Sequence, residues 1–410
     1  MTAYVNILPT RKREEPKTIG AGFQINEEKA KELGGQFFGG KRRIRPYLSG
    51  RDLLQGSRSL FVIDLYGMTE SEVRDMAPEV YQWLFDNVRP ERLQNRNPIF
   101  ARDWWIIGHT RQSFRVATEN LSRYIATVET AKHQIFSFLD IEIAPDSTLV
   151  TFAFSDAFHL GVLSSRAHIV WSLAAGGTLE DRPRYNKSKC FDPFPFPAGS
   201  LDLADKIRHL TERLDAHRKR QQVIHPDLTL TGMYNVLEAL REGRALTAKE
   251  KAIHEMGLCS ILREIHDELD RAVFEAYGWP ANLSDEGILE RLVALNAERA
   301  AEEDGGLVRW LRPEFQTGAS PVAAVQEDLA LPETVKPKGK RTKEAKAAWP
   351  STTREQIQAL RAVLSTYGAA LPAEDLAKRF QGAKAAQVST LLEAMSALGQ
   401  IREERGRFAA

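Results

Sequence analysis

The sequence predicts an α+β multidomain protein in which a mixed α/β domain is followed by an antiparallel helical array and a small domain of short helices ending in a hairpin. Three observations carry that expectation. A chain of 410 residues exceeds what one ordinary core organises and implies roughly two to three domains. Composition changes after Cys190-Phe191-Asp192-Pro193-Phe194-Pro195-Phe196-Pro197, from mingled strand and helix patterns to helical patterns alone. Periodicity is then lost from Gly318 to Ala348, where proline, alanine and lysine accumulate.

Taken in order, Asn26 to Leu33 reads as a short helix opened by an asparagine cap, and Lys41 to Leu53 as a basic loop. Leu60 to Leu65 has strand length, Glu72 to Val88 has helical spacing, and Asp103-Trp104-Trp105-Ile106-Ile107-Gly108 and Leu149 to Phe154 again look like strands. Ala157 to Ala174 predicts one helix stopped by Gly176-Gly177. Alternating prolines then forbid a helix, so residues 193–197 should run extended with their phenylalanines pinned to a surface, marking a domain boundary. Leu201 to Gln222, Thr231 to Glu242, Ala248 to Tyr277 and Ser284 to Glu303 are amphipathic helical patterns. Beyond a flexible basic linker, Thr353 to Tyr367, Ala373 to Phe380 and Ala385 to Leu398 predict three helices and Gly399 to Phe408 a hairpin turning at Arg405-Gly406, which is the winged-helix plan. The expected domains are a lead-in at 1–40, an α/β domain at 41–198, a helical domain at 199–317, a linker at 318–348 and a winged-helix-like domain at 349–410.

Several function classes are disfavoured. With 43% hydrophobic and 27% charged residues the chain is globular and not disordered, and it has neither a long uncharged apolar run nor a secretory leader, so a cytoplasmic protein without membrane contact is expected. Cys190 and Cys259 are far apart, which supports no disulfide framework or cysteine zinc site. His266-Asp267-Glu268 are adjacent on a helix and point in different directions, so no metal site is expected. Gly20-Ala21-Gly22, Gly34-Gly35 and Gly39-Gly40 do not sit at strand-to-helix turns, as a phosphate or methyl-donor cradle requires. Asn97-Pro98-Ile99-Phe100 distantly echoes the Asn-Pro-Pro-aromatic motif of amino-methyltransferases but lacks the second proline.

Arginine and lysine interleaved with aromatics do recur. Lys41, Arg42, Arg43, Arg45 and Arg51 form one cluster; Arg111, Arg115, Arg123, Lys132 and His133 a second; Arg182, Arg184, Tyr185, Lys187 and Lys189 a third. Such groups suit phosphate contacts, and guanidinium forks can also read guanine edges. Net charge is only +1, so any nucleic-acid affinity must come from these patches and not from a global field.

Ile44-Arg45-Pro46-Tyr47-Leu48-Ser49-Gly50-Arg51-Asp52-Leu53, Phe61 to Leu65, Trp104-Trp105, Arg123 to Thr127, and Leu163-Ser164-Ser165-Arg166-Ala167-His168 through Phe194-Pro195-Phe196-Pro197 occur in an order that resembles the target-recognition region of MmeI-like (type IIL-like) adenine-specific DNA methyltransferases. Tyr234 to Leu237, His266 to Asp270, Tyr277 to Pro280 and Arg309 to Glu314 resemble the helical C-terminal part of the same enzymes. The resemblance implies double-stranded DNA as partner and adds Ser164, Ser165 and Arg166 to the clusters as DNA contacts, with no catalytic residue assigned to this chain. It also implies a methyltransferase catalytic subunit or fragment carrying S-adenosylmethionine, in a restriction-modification or phage-defence system. Two alternatives stay open: a complete methyltransferase with an unrecognised donor site, and a protein-interaction scaffold.

Overall fold

The computed structural model describes residues 21–316 apart from 35–36, 109 and 180–181, and then residues 347–350, 356, 359–360, 363–364, 371–397, 402–404 and 407–409. The chain divides into two compact units, Met1–Gln326 and Glu327–Ala410.

The first unit opens with a 3-10 turn (Ala21–Phe23), strand β1 (Gln24–Asn26) and helix α1 (Glu27–Glu32). The Asn26 side chain accepts from the Lys29 amide, the expected cap. A hairpin of β2 (Phe37–Phe38) and β3 (Lys41–Arg42) turns at Gly39-Gly40, both with positive φ. Strand β4 (Ile44–Leu48) leads into α2 (Gly50–Gln55) and β5 (Leu60–Ile63). Five short helices follow: α3 (Glu70–Met76), α4 (Pro78–Asn87), α5 (Arg89–Leu93), α6 (Pro98–Arg102) and α7 (Gln112–Thr118). Next come β6 (Arg123–Val128), β7 (Ser137–Asp140), β8 (Ala144–Pro145) and β9 (Leu149–Phe152). The first sheet has the order β1-β5-β4-β8, with β4–β8 its parallel pair, and the second is antiparallel β7-β6-β9. Strand β6 is buried on both faces: Ile125 joins the helix-covered core, while Tyr124, Ala126 and Val128 join a smaller one with Phe114 of α7 and Leu53 of α2.

After β9 the chain forms α8 (Ala157–Ser164), α9 (Arg166–Ala175), a ribbon of β10 (Gly177–Leu179) and β11 (Arg182–Arg184), and a π-helical turn (Lys187–Phe191). Phe191, Phe194 and Phe196 are buried, so the proline-rich segment is pinned as the sequence predicts. Helices α10 (Leu201–Ile224), α11 (Leu230–Arg241), α12 (Ala248–Gly257), α13 (Cys259–Ala276), α14 (Asp285–Asp304) and α15 (Pro313–Gln316) complete the unit. One apolar core runs from Ile125 to Leu292, joining the β7-β6-β9 sheet to these helices across the proline-rich segment.

Five local expectations are corrected, the first being residues 41–53, expected as a basic loop, which instead carry β3, β4 and the start of α2. The helical pattern over 72–88 is two helices, because Pro78 starts a new one after Ala77. Residues 103–108 form no strand: Asn97 caps α6, and the following turns press Trp104 against Tyr81 and Phe85 while the Trp105 indole donates to the Met68 carbonyl. The helix expected over 157–174 breaks at Ser165, which is extended (φ −77, ψ 159). Likewise the pattern over 248–277 breaks at Leu258, held in the left-handed region at φ 46.

The second unit contains β12 (Ala347–Ala348), β13 (Leu371–Pro372), α16 (Ala373–Ala377), β14 (Phe380–Gln381), α17 (Ala385–Ala397), β15 (Arg402–Glu404) and β16 (Arg407–Ala409). Strands β13-β16-β15 form an antiparallel sheet, and β12 pairs parallel with β14. Leu376, Phe380, Val388, Leu392 and Phe408 build a core with Leu360 and Leu364. The expected linker up to residue 346, the Arg405-Gly406 turn and most of the helix predicted at 353–367 lie outside the described residues.

Candidate nucleic-acid interface

One arginine from each of the first two basic clusters, Arg45 and Arg115, meets on one buried carboxylate, Asp64. Backbone pairing of β4 with β5 sets Arg45 opposite Val62, from which the chain runs on to Asp64, and the Arg45 guanidinium reaches Asp64 Oδ2 at 3.0 Å. Arg115 on α7 sets its Nη2 against both Asp64 oxygens, at 2.9 and 2.8 Å. Burial pushes the Asp64 carboxyl up, but Arg115 and Arg45 outweigh it and hold the group below its ordinary range. Arg45 directs its other donors to the Ile141 and Glu142 carbonyls, Arg115 donates to Thr110, and the buried Arg43 donates to the Tyr66 carbonyl. Arg111 donates to the Pro145 carbonyl. These four arginines, expected as DNA contacts, instead lock α7 and the β4–β8 edge to β5. For Arg45 and Arg115 the physical reason is a buried anion that needs compensation, while Arg43 and Arg111 are taken up by backbone carbonyls.

The remaining expected contacts separate by burial. Ser165 and Tyr185 are 0% and 1% exposed; the Ser165 hydroxyl donates to the Val162 carbonyl, and the Tyr185 hydroxyl meets His168 Nε2 at 2.9 Å. Ser164 is buried as well. All three are core residues, a second correction to the surface role expected of them. Arg123 lies over the Phe138 ring and pairs with Glu212, Lys132 pairs with Glu238 and Asn235, and Arg166 pairs with Asp285. His133 meets Asn235. Those contacts join the β7-β6-β9 sheet and α9 to the helices. Lys187 pairs with Asp192 at 3.7 Å, and Arg184 with Glu129 at 2.5 Å.

What stays exposed is a smaller set on three rigid supports. Lys41 projects from the β2–β3 hairpin, beside the half-buried Arg42. Arg51 lies in the first turn of α2, exposed. That turn is fixed by a reciprocal cap between Ser49 and Asp52, by Arg58 forking onto Asp52, and by Gly50, where a Cβ would fall 2.8 Å from a Val128 methyl. Arg182 is exposed on the β10–β11 ribbon. The ribbon's root is equally constrained: a Cβ on Gly176 would meet the Ser172 and Arg184 carbonyls at 2.6 and 2.8 Å, and the Tyr185 amide donates to the Glu129 carbonyl at 2.7 Å. Lys189 is exposed just beyond. Sequence reasoning passes over Phe37, which is 68% exposed opposite Arg42; the Gly39-Gly40 pair between Phe38 and Lys41 is the hairpin signal that points to it.

Residues 14–198 match the family model described as the target recognition domain of MmeI. Over that stretch, a little under half of the chain, the sequence is similar to an MmeI-type target recognition domain. The match starts ahead of residue 41, where composition placed the domain's beginning. A curated relative, DNA methyltransferase A of Bacillus subtilis (strain 168), is 26% identical over 187 residues, covering 44% of this chain and 18% of the relative. The solved structure of the type IIL restriction-modification enzyme MmeI in complex with DNA superposes with a TM-score of 0.51 at 18% identity, over 69% of this chain and 34% of that one. The chain thus spans about a third of the length of the structural neighbour and under a fifth of the curated relative. That superposition covers a larger share of the chain than the family match over residues 14–198 does.

Among the described residues of the recognition domain, none of the candidate motifs fits a methyl donor. Gly22 is pressed against Val88 in a 3-10 turn, Gly39-Gly40 is a hairpin turn, and the Asn97 side chain is occupied capping α6. Among the described residues no group of His, Cys, Asp and Glu is arranged to hold a metal ion, and no helix is long and apolar enough to cross a membrane.

Proposed function

We propose that this chain supplies DNA sequence recognition to an adenine-specific N6 DNA methyltransferase of a restriction-modification or phage-defence system. The match of residues 14–198 to the MmeI target recognition domain carries the reading. Catalysis and S-adenosylmethionine binding belong to a separate methyltransferase part, which takes the adenine out of the stack. In this reading the β10–β11 ribbon, of a width that a DNA major groove admits, presents Arg182 to base edges, while Lys41, Arg51 and Lys189 neutralise phosphates. The helices of residues 199–317 brace the recognition domain through Arg123, Lys132 and Arg166. The winged-helix-like unit at 349–410 is a docking or DNA-contact module.

Selection from a randomised duplex pool followed by gel shift tests the proposal. A recovered consensus whose affinity survives moderate salt better than that of the unselected pool is expected. Absence of DNA binding, with or without the catalytic part, would overturn it. Calorimetry with S-adenosylmethionine addresses the alternative of a complete enzyme: micromolar binding by this chain by itself would favour that reading instead.

A further inference from the structure

The β2–β3 hairpin is amphipathic by its two-residue period. Phe38 faces the core cluster that contains Trp104, so Phe37 must face outward, and it is 68% exposed. An outward position on a two-residue hairpin ordinarily carries a polar side chain. Here it carries a phenyl ring whose cross-strand partner is Arg42, with the guanidinium 5.6 Å from the ring centroid. Arg42 Nε is in turn tied to the Ile44 carbonyl at 3.3 Å, so the cation is held beside the ring. The turn keeps its shape through Gly39 and Gly40 at φ 58 and 72, values that L side chains rarely adopt. Lys41, exposed at the next position, adds a second cation on the same two-strand support.

An exposed aromatic at the start of a hairpin strand, with one cation beside its ring and a second exposed cation one residue away, has the chemistry of a nucleobase contact. The ring offers a π-face for stacking, and the cations hold the phosphates on either side of the base. From this placement we infer that Phe37 is a DNA wedge: it stacks against a base at a destacked step of the bound duplex, and Lys41 and Arg42 contact the flanking backbone. Apolar wedges of this kind unstack one step and bend the duplex so that more protein surface meets it. The inference rests on the DNA-recognition reading above and adds to it a contact that is independent of base identity. Every base has a π-face, so Phe37 should contribute affinity and duplex distortion without sequence discrimination.

The test uses the full chain and the duplex recovered by selection, with 2-aminopurine placed at successive positions. Wild type should raise the fluorescence of 2-aminopurine at one step. Phe37→Ala should abolish that rise, weaken binding about 10-fold or more, and leave the salt slope and the selected consensus unchanged. Phe37→Trp should retain both binding and the fluorescence signal. Lys41→Ala should do the opposite of Phe37→Ala, lowering the salt slope by about one while keeping the fluorescence rise. An unchanged affinity and signal in Phe37→Ala would overturn the wedge while leaving the recognition reading intact. A changed consensus in Phe37→Ala would overturn its sequence-independent role. A wild-type chain that binds no duplex at all defeats both readings, and the selection step reveals this before any variant is made.

Discussion

Two arginines two residues apart on one ribbon have different fates, and their difference is measurable. Arg184 is committed to Glu129 at the ribbon's root, whereas Arg182 is exposed and has no partner among the described residues. Arg182→Ala should therefore leave the melting temperature unchanged and weaken DNA binding by about 1–3 kcal/mol with relaxed discrimination at one base pair, if its fork meets a base edge. Arg184→Ala should instead lower stability by up to about 1 kcal/mol, the worth of a partly exposed pair, with any DNA effect following from loosening of the ribbon. Thermal melts paired with gel shifts on both variants separate the two; identical profiles would contradict the assignment. Asp64 is the residue on which Arg45 and Arg115 depend. Asp64→Ala leaves Arg45 and Arg115 as uncompensated charges, at a cost of about 3–5 kcal/mol, so urea midpoints should fall sharply. These roles are hidden in the sequence because the partners are remote: Asp64 lies 51 positions from Arg115, and Arg184 lies 55 from Glu129. Clustering of cations along a chain reports proximity to each other and says nothing about the carboxylate that tertiary folding brings to them.

At the scale of elements, local signals serve where a cap or turn settles the matter and fail where a tertiary contact does. The Asn26 cap of α1, the β5 and β9 runs and the start of α14 at Ser284 follow from residues within a turn or two. The break between α8 and α9 does not. Ser165 leaves the helix because the Arg166 amide, the first of α9, is capped by Asp270 of α13, which lies 104 positions away. Residues 103–108 read as a strand because tryptophan and isoleucine favour pleated surfaces, yet the aromatic cluster of Tyr81, Phe85 and Trp104 absorbs them as a turn. Close packing of α8 on α10 has one cause at a single residue. At Gly161 a Cβ would meet Thr211 Oγ1 at 2.2 Å and an Ile207 methyl at 2.7 Å, and both belong to helix interior. Gly161→Ala should thus push the two helices apart and destabilise by about 1–3 kcal/mol despite alanine's better helix propensity. A rise in the melting temperature of that variant would show that propensity, and not interhelical contact, governs the position.

Within the first unit, the β7-β6-β9 sheet and the helices that follow it share one core, and the ionisable groups buried there bear on how stability responds to pH. Burial lowers His159 to about 4 and His168 to about 3, and His266 lies well below its ordinary value for the same reason. Between the unfolded value near 6.5 and those folded values the unfolded chain binds protons that the folded chain refuses, so stability falls as pH falls through that window. For His159 alone the full loss is roughly 3 kcal/mol, because each pH unit separating the folded and unfolded values is worth about 1.4 kcal/mol. Asp270 acts in the opposite sense. Burial raises its carboxyl to about 6, so between about pH 4 and 6 the folded chain holds a proton that the unfolded chain has released, and acidification there is stabilising. Burial also lowers His133 and His217 and raises Asp146 and Asp192, so five histidines stand against three carboxyls, and the melting temperature should drop from about pH 7 to about pH 4.5. His159→Phe, placed in a ring stack with Phe154 at 4.3 Å, should flatten that slope without loss of stability at neutral pH, whereas Asp270→Asn should steepen it between about pH 6 and 4.5. Melts followed by circular dichroism across this range decide the matter; a wild-type curve that is flat over the whole interval would mean that the buried imidazoles are protonated in place.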